Sequence, residues 1–150
     1  MVSNKLSQSE IKRNALISKI MELSKELDFF EEIEVIILFG SRAREDYNSK
    51  SDLDLAFLLK SEFFSKINMI EFRINLSNYF AELTGIETDI ILLNSAKPLL
   101  KFQVLKYGKK IYMSDDFDYA SYFSKSLKEY FDFNYFKKLH YQKMRERLSD

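Results

Sequence analysis

Glu34–Ser41, EVIILFGS, is an apolar run closed by Gly40 and Ser41, and ten residues further on Asp52 and Asp54 stand in the alternating stretch Ser51–Leu59, SDLDLAFLL. Side chains on a strand alternate between faces, so Asp52 and Asp54 point the same way with Cα atoms about 6.6 Å apart. Carboxylates converging at that spacing can clamp two divalent cations roughly 3.5–4 Å apart, as two-metal phosphoryl chemistry requires. Mg²⁺ suits such a site because it prefers oxygen ligands and keeps positions open for water and phosphate. Gly40 lets the backbone approach a phosphate closely, and Ser41 adds a hydroxyl at an expected helix start, where free N–H groups attract anions. Arg42 and Arg44 follow, and Arg42, next to the turn, is the better candidate for pairing with phosphate oxygens. A G-S pair alone is usually only a turn, and D-x-D alone is usually solvated surface. Their conjunction in this order is much rarer and points to nucleotidyl transfer.

A third carboxylate is expected from another strand. Asp89 lies in the apolar run Ile86–Leu93, IETDIILL, where an unpaired charge is costly, and is the favoured third ligand; Glu87 is the fallback.

The stretch LFGSRAREDYNSKSDLDLAFLL, with TDIILLN downstream, resembles the minimal nucleotidyltransferase (MNT) family of the DNA polymerase β-like superfamily, over roughly residues 30 to 113. That resemblance implies a small mixed sheet flanked by helices, an α/β (α+β) fold. It implies that Gly40 and Ser41 hold the triphosphate of ATP, that Asp52 and Asp54 bind two Mg²⁺ ions, and that Asp89 binds the metal that activates the attacking hydroxyl. Many members of the family are antitoxins that transfer AMP from ATP to a tyrosine of a HEPN ribonuclease toxin. Glu45 stands where members often have glycine. The alternatives are transfer to a small molecule such as an aminoglycoside or to an RNA end, and an antitoxin that acts by binding alone.

Composition agrees with one domain over residues 1 to 150: 46% hydrophobic and 31% charged residues read as globular. No run approaches the ~20 apolar residues of a transmembrane helix, and the N-terminus lacks a signal peptide's order, so the expected place is the cytoplasm. Absence of cysteine excludes disulfides and thiolate metal sites. With 23 basic and 23 acidic residues the chain is not a strong electrostatic ligand for nucleic acid. Lys97, Lys101, Lys106, Lys109 and Lys110 form an acid-free basic stretch, read as a solvated face or a contact with phosphate or an acidic partner.

Ser7 and Glu10 match a capping box, followed by Ile11, Leu16, Ile20, Leu23 and Leu27 at helical spacing, which predicts a helix from residue 7 to about 28. Strands are expected over 34–39 and 52–59 with a loop over 46–51 between them. A helix over about 63–83 ending before Gly85 comes next, then the Asp89 strand. Pro98 opens a helix that ends before Gly108, and KKIYM forms a last strand. Residues 115 to 148 form an aromatic-rich helical segment holding ten of the chain's 23 aromatics: Phe117, Tyr119, Tyr122, Phe123, Tyr130, Phe131, Phe133, Tyr135, Phe136 and Tyr141. That exceeds what one buried stripe needs and predicts a partner surface. His140 reads as a surface residue. In HEPN ribonucleases an arginine precedes the catalytic histidine, but here Phe133, Asn134 and Tyr135 occupy those places, so the chain does not resemble the toxin.

Overall fold

The computed structural model describes residues 5–44, 47, 48 and 50–149. A helix α1, Gln8–Lys25, begins at Ser7, whose hydroxyl accepts from the Glu10 N–H while the Glu10 side chain accepts from the Ser7 N–H, the predicted capping box. Strand β1, Ile33–Phe39, runs into a single 3-10 turn at Gly40–Arg42, and strand β2, Leu53–Leu59, returns antiparallel to it. Two helices follow where one was expected: α2, Ser61–Lys66, and α3, Met69–Thr84. The break falls at Ile67, whose backbone is extended, and Asn68, whose side chain accepts from the Glu71 N–H and restarts the helix. Gly85 ends α3 in the left-handed conformation, φ 73°.

Strand β3, Thr88–Leu92, pairs parallel with β2, the crossover being α2 and α3. Helix α4, Pro98–Tyr107, has its proline in the first turn; strand β4, Lys109–Met113, pairs antiparallel with β1, and helix α5, Tyr119–Leu148, completes the described chain. The sheet order is β3-β2-β1-β4, so β3 and β4 are edges. The mixed sheet flanked by helices agrees with the predicted α/β (α+β) class.

Alternation along the strands separates two apolar layers. Leu53, Leu55, Phe57, Ile36, Leu38, Ile90 and Leu92 pack with Ile20 of α1 and Leu76 and Phe80 of α3. On the other face Val35, Ile37, Ala56 and Leu58 pack with Val104 and Leu105 of α4, joined by Tyr119, Tyr122 and Phe123 of α5. Asn94 secures the end of β2: its side chain donates to the Leu59 carbonyl at 2.8 Å and accepts from the Leu59 N–H at 3.0 Å.

The edge of β3 is covered by α3. Arg73 Nε donates to the Ile90 carbonyl at 2.9 Å, and the Ser77 hydroxyl donates to the Thr88 carbonyl. Both acceptors would otherwise be open to pairing with another chain.

Only the first half of α5 packs on the domain. Tyr130 stacks on Phe102 with ring centroids 4.5 Å apart, and Lys101 pairs with Glu129 at 3.3 Å. Beyond them Phe131, Phe133, Tyr135, Phe136, Leu139, Tyr141 and Met144 are all exposed, as is His140.

Candidate active site

Two of the three expected carboxylates, Asp54 and Asp89, meet across the pairing of β2 with β3. Asp54 extends the row of Ala56 and Leu58 on the α4 face of β2, and Asp89 extends that of Ile91 on β3. In the register of the sheet Asp54 stands between Phe39 of β1 and Asp89 of β3. Strand neighbours are about 4.8 Å apart, so pairing alone brings Asp54 and Asp89 side by side. Asp52 lies one residue before β2 instead of inside it, and is exposed like Asp89 and Glu87. Glu87 acts through its backbone, its carbonyl accepting from the Leu53 N–H at 2.7 Å.

Burial first, then the charges of Asp89 and Asp52, push the Asp54 carboxyl above the usual carboxylate range. In the register it is Asp89, and not Glu87, that stands opposite Asp54. The turn meets this cluster directly. Gly40 has φ 73°, and a Cβ there would lie 2.2 Å from Asp54 Oδ2. Glycine is thus required twice, for its backbone conformation and for the space the Asp54 carboxylate occupies. Ser41 is half-buried in the same turn. The expected helix start is only that one 3-10 turn, closed by the Ala43 and Arg44 N–H groups on the Gly40 and Ser41 carbonyls at 3.2 Å.

Arg42 is buried and turned toward the following loop. Its Nε donates to the Ser51 carbonyl at 3.0 Å and its guanidinium stands 5.2 Å from the Tyr47 ring centroid. Arg13 of α1 ties down the same turn by donating to the Ala43 carbonyl at 3.2 Å. Neither partner could be read from the chain, because both join side chains to backbone groups of other segments. Glu45, Asp46 and Ser49 lie outside the described residues.

Among the described residues no three His, Cys, Asp or Glu side chains are gathered at ligating distance. The donor set nonetheless fits Mg²⁺. It is all oxygen, it carries mutual repulsion that a cation relieves, and Asp52 and Asp89 are exposed to solvent beside the half-buried Asp54.

Residues 18–117 match the family model described as polymerase beta, nucleotidyltransferase. The chain belongs to that family. Helix α5 lies beyond the matched residues. A curated relative, "Putative protein adenylyltransferase MJ1217" of Methanocaldococcus jannaschii, is 35% identical over 63 residues, 42% of this chain and 59% of that protein. The match thus spans about three-fifths of the relative's length. Two solved structures share the fold. One, a toxin-antitoxin complex with AMP-PNP, superposes with a TM-score of 0.71 at 23% identity, covering 86% of this chain and 98% of that one. The other, a tri-AMPylated HEPN toxin of Shewanella oneidensis in complex with an MNT antitoxin, gives 0.67 at 21% identity, covering 89% and 98%. This nucleotidyltransferase-family chain has, among its described residues, no helix long and apolar enough to cross a membrane.

Proposed function

We propose that this chain is a minimal nucleotidyltransferase that transfers AMP from ATP to a tyrosine hydroxyl of a HEPN ribonuclease and so acts as that toxin's antitoxin in the cytoplasm. The observation that carries the reading is the pairing of Asp54 with Asp89 directly beside the Gly40 turn. Family membership supports the reaction class, the name of the archaeal relative supports a protein acceptor, and the toxin-antitoxin complexes support the partner.

Asp52, Asp54 and Asp89 would hold two Mg²⁺ ions. When bound, these supply positive charge at the triphosphate and lower the pKa of the attacking hydroxyl. Gly40 and Ser41 receive the triphosphate, and Arg42 adds a fixed positive charge beside the turn while holding the loop that carries Ser51. The Asp89 carboxylate accepts the tyrosine proton, directly or through water. The phenolic oxygen attacks the α-phosphorus in line, the bond to the bridging oxygen breaks, and pyrophosphate leaves. The exposed aromatic half of α5 offers the surface on which the partner docks.

The test is intact-mass spectrometry of the proposed partner, a cognate HEPN ribonuclease, after incubation with the chain, ATP and Mg²⁺. An AMP-sized gain on the partner, lost with Asp52→Ala/Asp54→Ala, is the expected result. No gain with the wild-type chain, or a gain that survives both substitutions, overturns the reading.

A further inference from the structure

Tyr107, the last residue of α4, is 63% exposed and belongs to neither core layer. The other strongly exposed tyrosines, Tyr135 and Tyr141, lie on the far half of α5. By contrast, Tyr79 and Tyr119 donate their hydroxyls to the Leu23 and Leu105 carbonyls, at 2.7 and 3.1 Å, and the Tyr122 hydroxyl is buried. Tyr107 is also held at the Gly40 turn. β1 pairs Leu38 with Lys109, so the two residues before Lys109, Gly108 and Tyr107, come level with Phe39 and Gly40. Gly108 lies flat against β1, where a Cβ would strike Ile37. On the opposite flank Phe39 pairs with Asp54, and a Cβ on Gly40 would meet the Asp54 carboxylate. The turn thus has that carboxylate on one side and Tyr107 on the other. A cavity of about 610 Å³ joins Tyr107 to Gly40, with Arg44 and Lys109 in its lining and neither Asp nor Glu.

We propose that Tyr107 is an acceptor for the chain's own nucleotidyl transfer: without a partner, the chain adenylylates itself at this hydroxyl, within one molecule. The proposal rests on the reading of the site as an AMP-transferring centre and adds a second acceptor to it. The Tyr107 phenolic oxygen bonds to the α-phosphorus of ATP, the bond from that phosphorus to the bridging oxygen breaks, and pyrophosphate leaves with the electron pair. The phenolic proton passes to the Asp89 carboxylate or to water. A tyrosine is the acceptor class already proposed for the partner. One fixed beside the turn needs no encounter, so its effective concentration exceeds that of any free protein. The product is a phosphodiester anion, and the cavity meets it with the positive charge of Arg44 and Lys109 and no acidic side chain.

Incubating the whole chain with ATP and Mg²⁺ and no partner, then weighing it intact and mapping its peptides by mass spectrometry, tests this. An AMP-sized gain on Tyr107 is expected. It should be lost in Asp54→Asn and in Tyr107→Phe, which keeps the ring and removes only the attacked hydroxyl. The rate constant should stay the same when the chain is diluted, because donor site and acceptor belong to one molecule. A gain that maps to another residue, or that survives either substitution, overturns the assignment. A rate that falls on dilution places the transfer between copies and overturns the intramolecular step. An unmodified chain that still adenylylates the HEPN partner in a parallel assay overturns self-modification and leaves the proposed function standing. If neither protein is modified, both readings fall.

Discussion

Asp54 is the residue on which chemistry and stability pull in opposite directions. Its pKa in the folded chain is raised above the unfolded value, so the ionised form opposes folding at neutral pH, and the penalty fades as the pH falls through the raised pKa. Asp54→Asn should therefore abolish AMP transfer and raise the Tm at pH 7 by ~1–3 °C, an advantage that shrinks on acidification toward the usual carboxylate range. Thermal melts of both proteins across that window measure it; a lower Tm for the variant at pH 7 counts against the assignment. The two left-handed glycines give a second comparison. Gly40→Ala and Gly85→Ala should each cost about 1 kcal/mol from backbone strain. Nothing lies within 4 Å of a Cβ at Gly85, whereas at Gly40 the Asp54 carboxylate must swing away. Denaturant titration should thus find Gly40→Ala the more destabilised of the two, with transfer lost only in Gly40→Ala.

Among elements, β3 is the one on which the proposed site depends and whose support is least visible in the chain. Asp89 is held at the sheet edge, and Arg73 and Ser77 of α3 hold that edge by its outward carbonyls. Removing both side chains, Arg73→Ala/Ser77→Ala, should cost roughly 1–2 kcal/mol and speed amide exchange in β3 while β1 amides remain protected. Equal acceleration in both strands would mean that α3 does not act locally on the edge. The spacing of G-S and D-x-D, the Ser7–Glu10 box, the Pro98 start and the KKIYM strand are legible in sequence because each is a local pattern with a local cause. The break between α2 and α3 is hidden because Ile67 and Asn68 include neither glycine nor proline and the apolar periodicity runs on through them. Arg42 illustrates the other limit: its adjacency to the turn suggests a phosphate contact, while its Nε is engaged by Ser51, a pairing that depends on how the loop folds back.

At the scale of the whole molecule, α5 divides into a structural half and a presented half. Phe117, Tyr119, Tyr122 and Phe123 complete the α4-side core, and Tyr130 closes it against Phe102. The aromatic excess from Phe131 onward is left on the surface. Deleting residues 132–150 should therefore shift the Tm by no more than ~2 °C, since unfolding of peripheral segments is nearly independent of the core. The same deletion should weaken partner binding at least about tenfold, because exposed aromatics are the residues that dominate interface energetics. Calorimetry of the free chain and of the complex checks the two halves of that statement. Partner affinity unchanged by the deletion would place the docking surface elsewhere.

The parallel pairing of β2 with β3 also orders events in time. During synthesis the Gly40 turn and the Asp52–Asp54 pair leave the ribosome first, but a parallel neighbour cannot be added by a tight hairpin and must wait for the whole crossover. No nascent fragment that stops short of β3 can bring a third acid alongside Asp54. If Asp89 serves as proposed, translation withholds nucleotide chemistry until the helices of the crossover have been made and docked, and a chain interrupted within them carries the motif without its third acid.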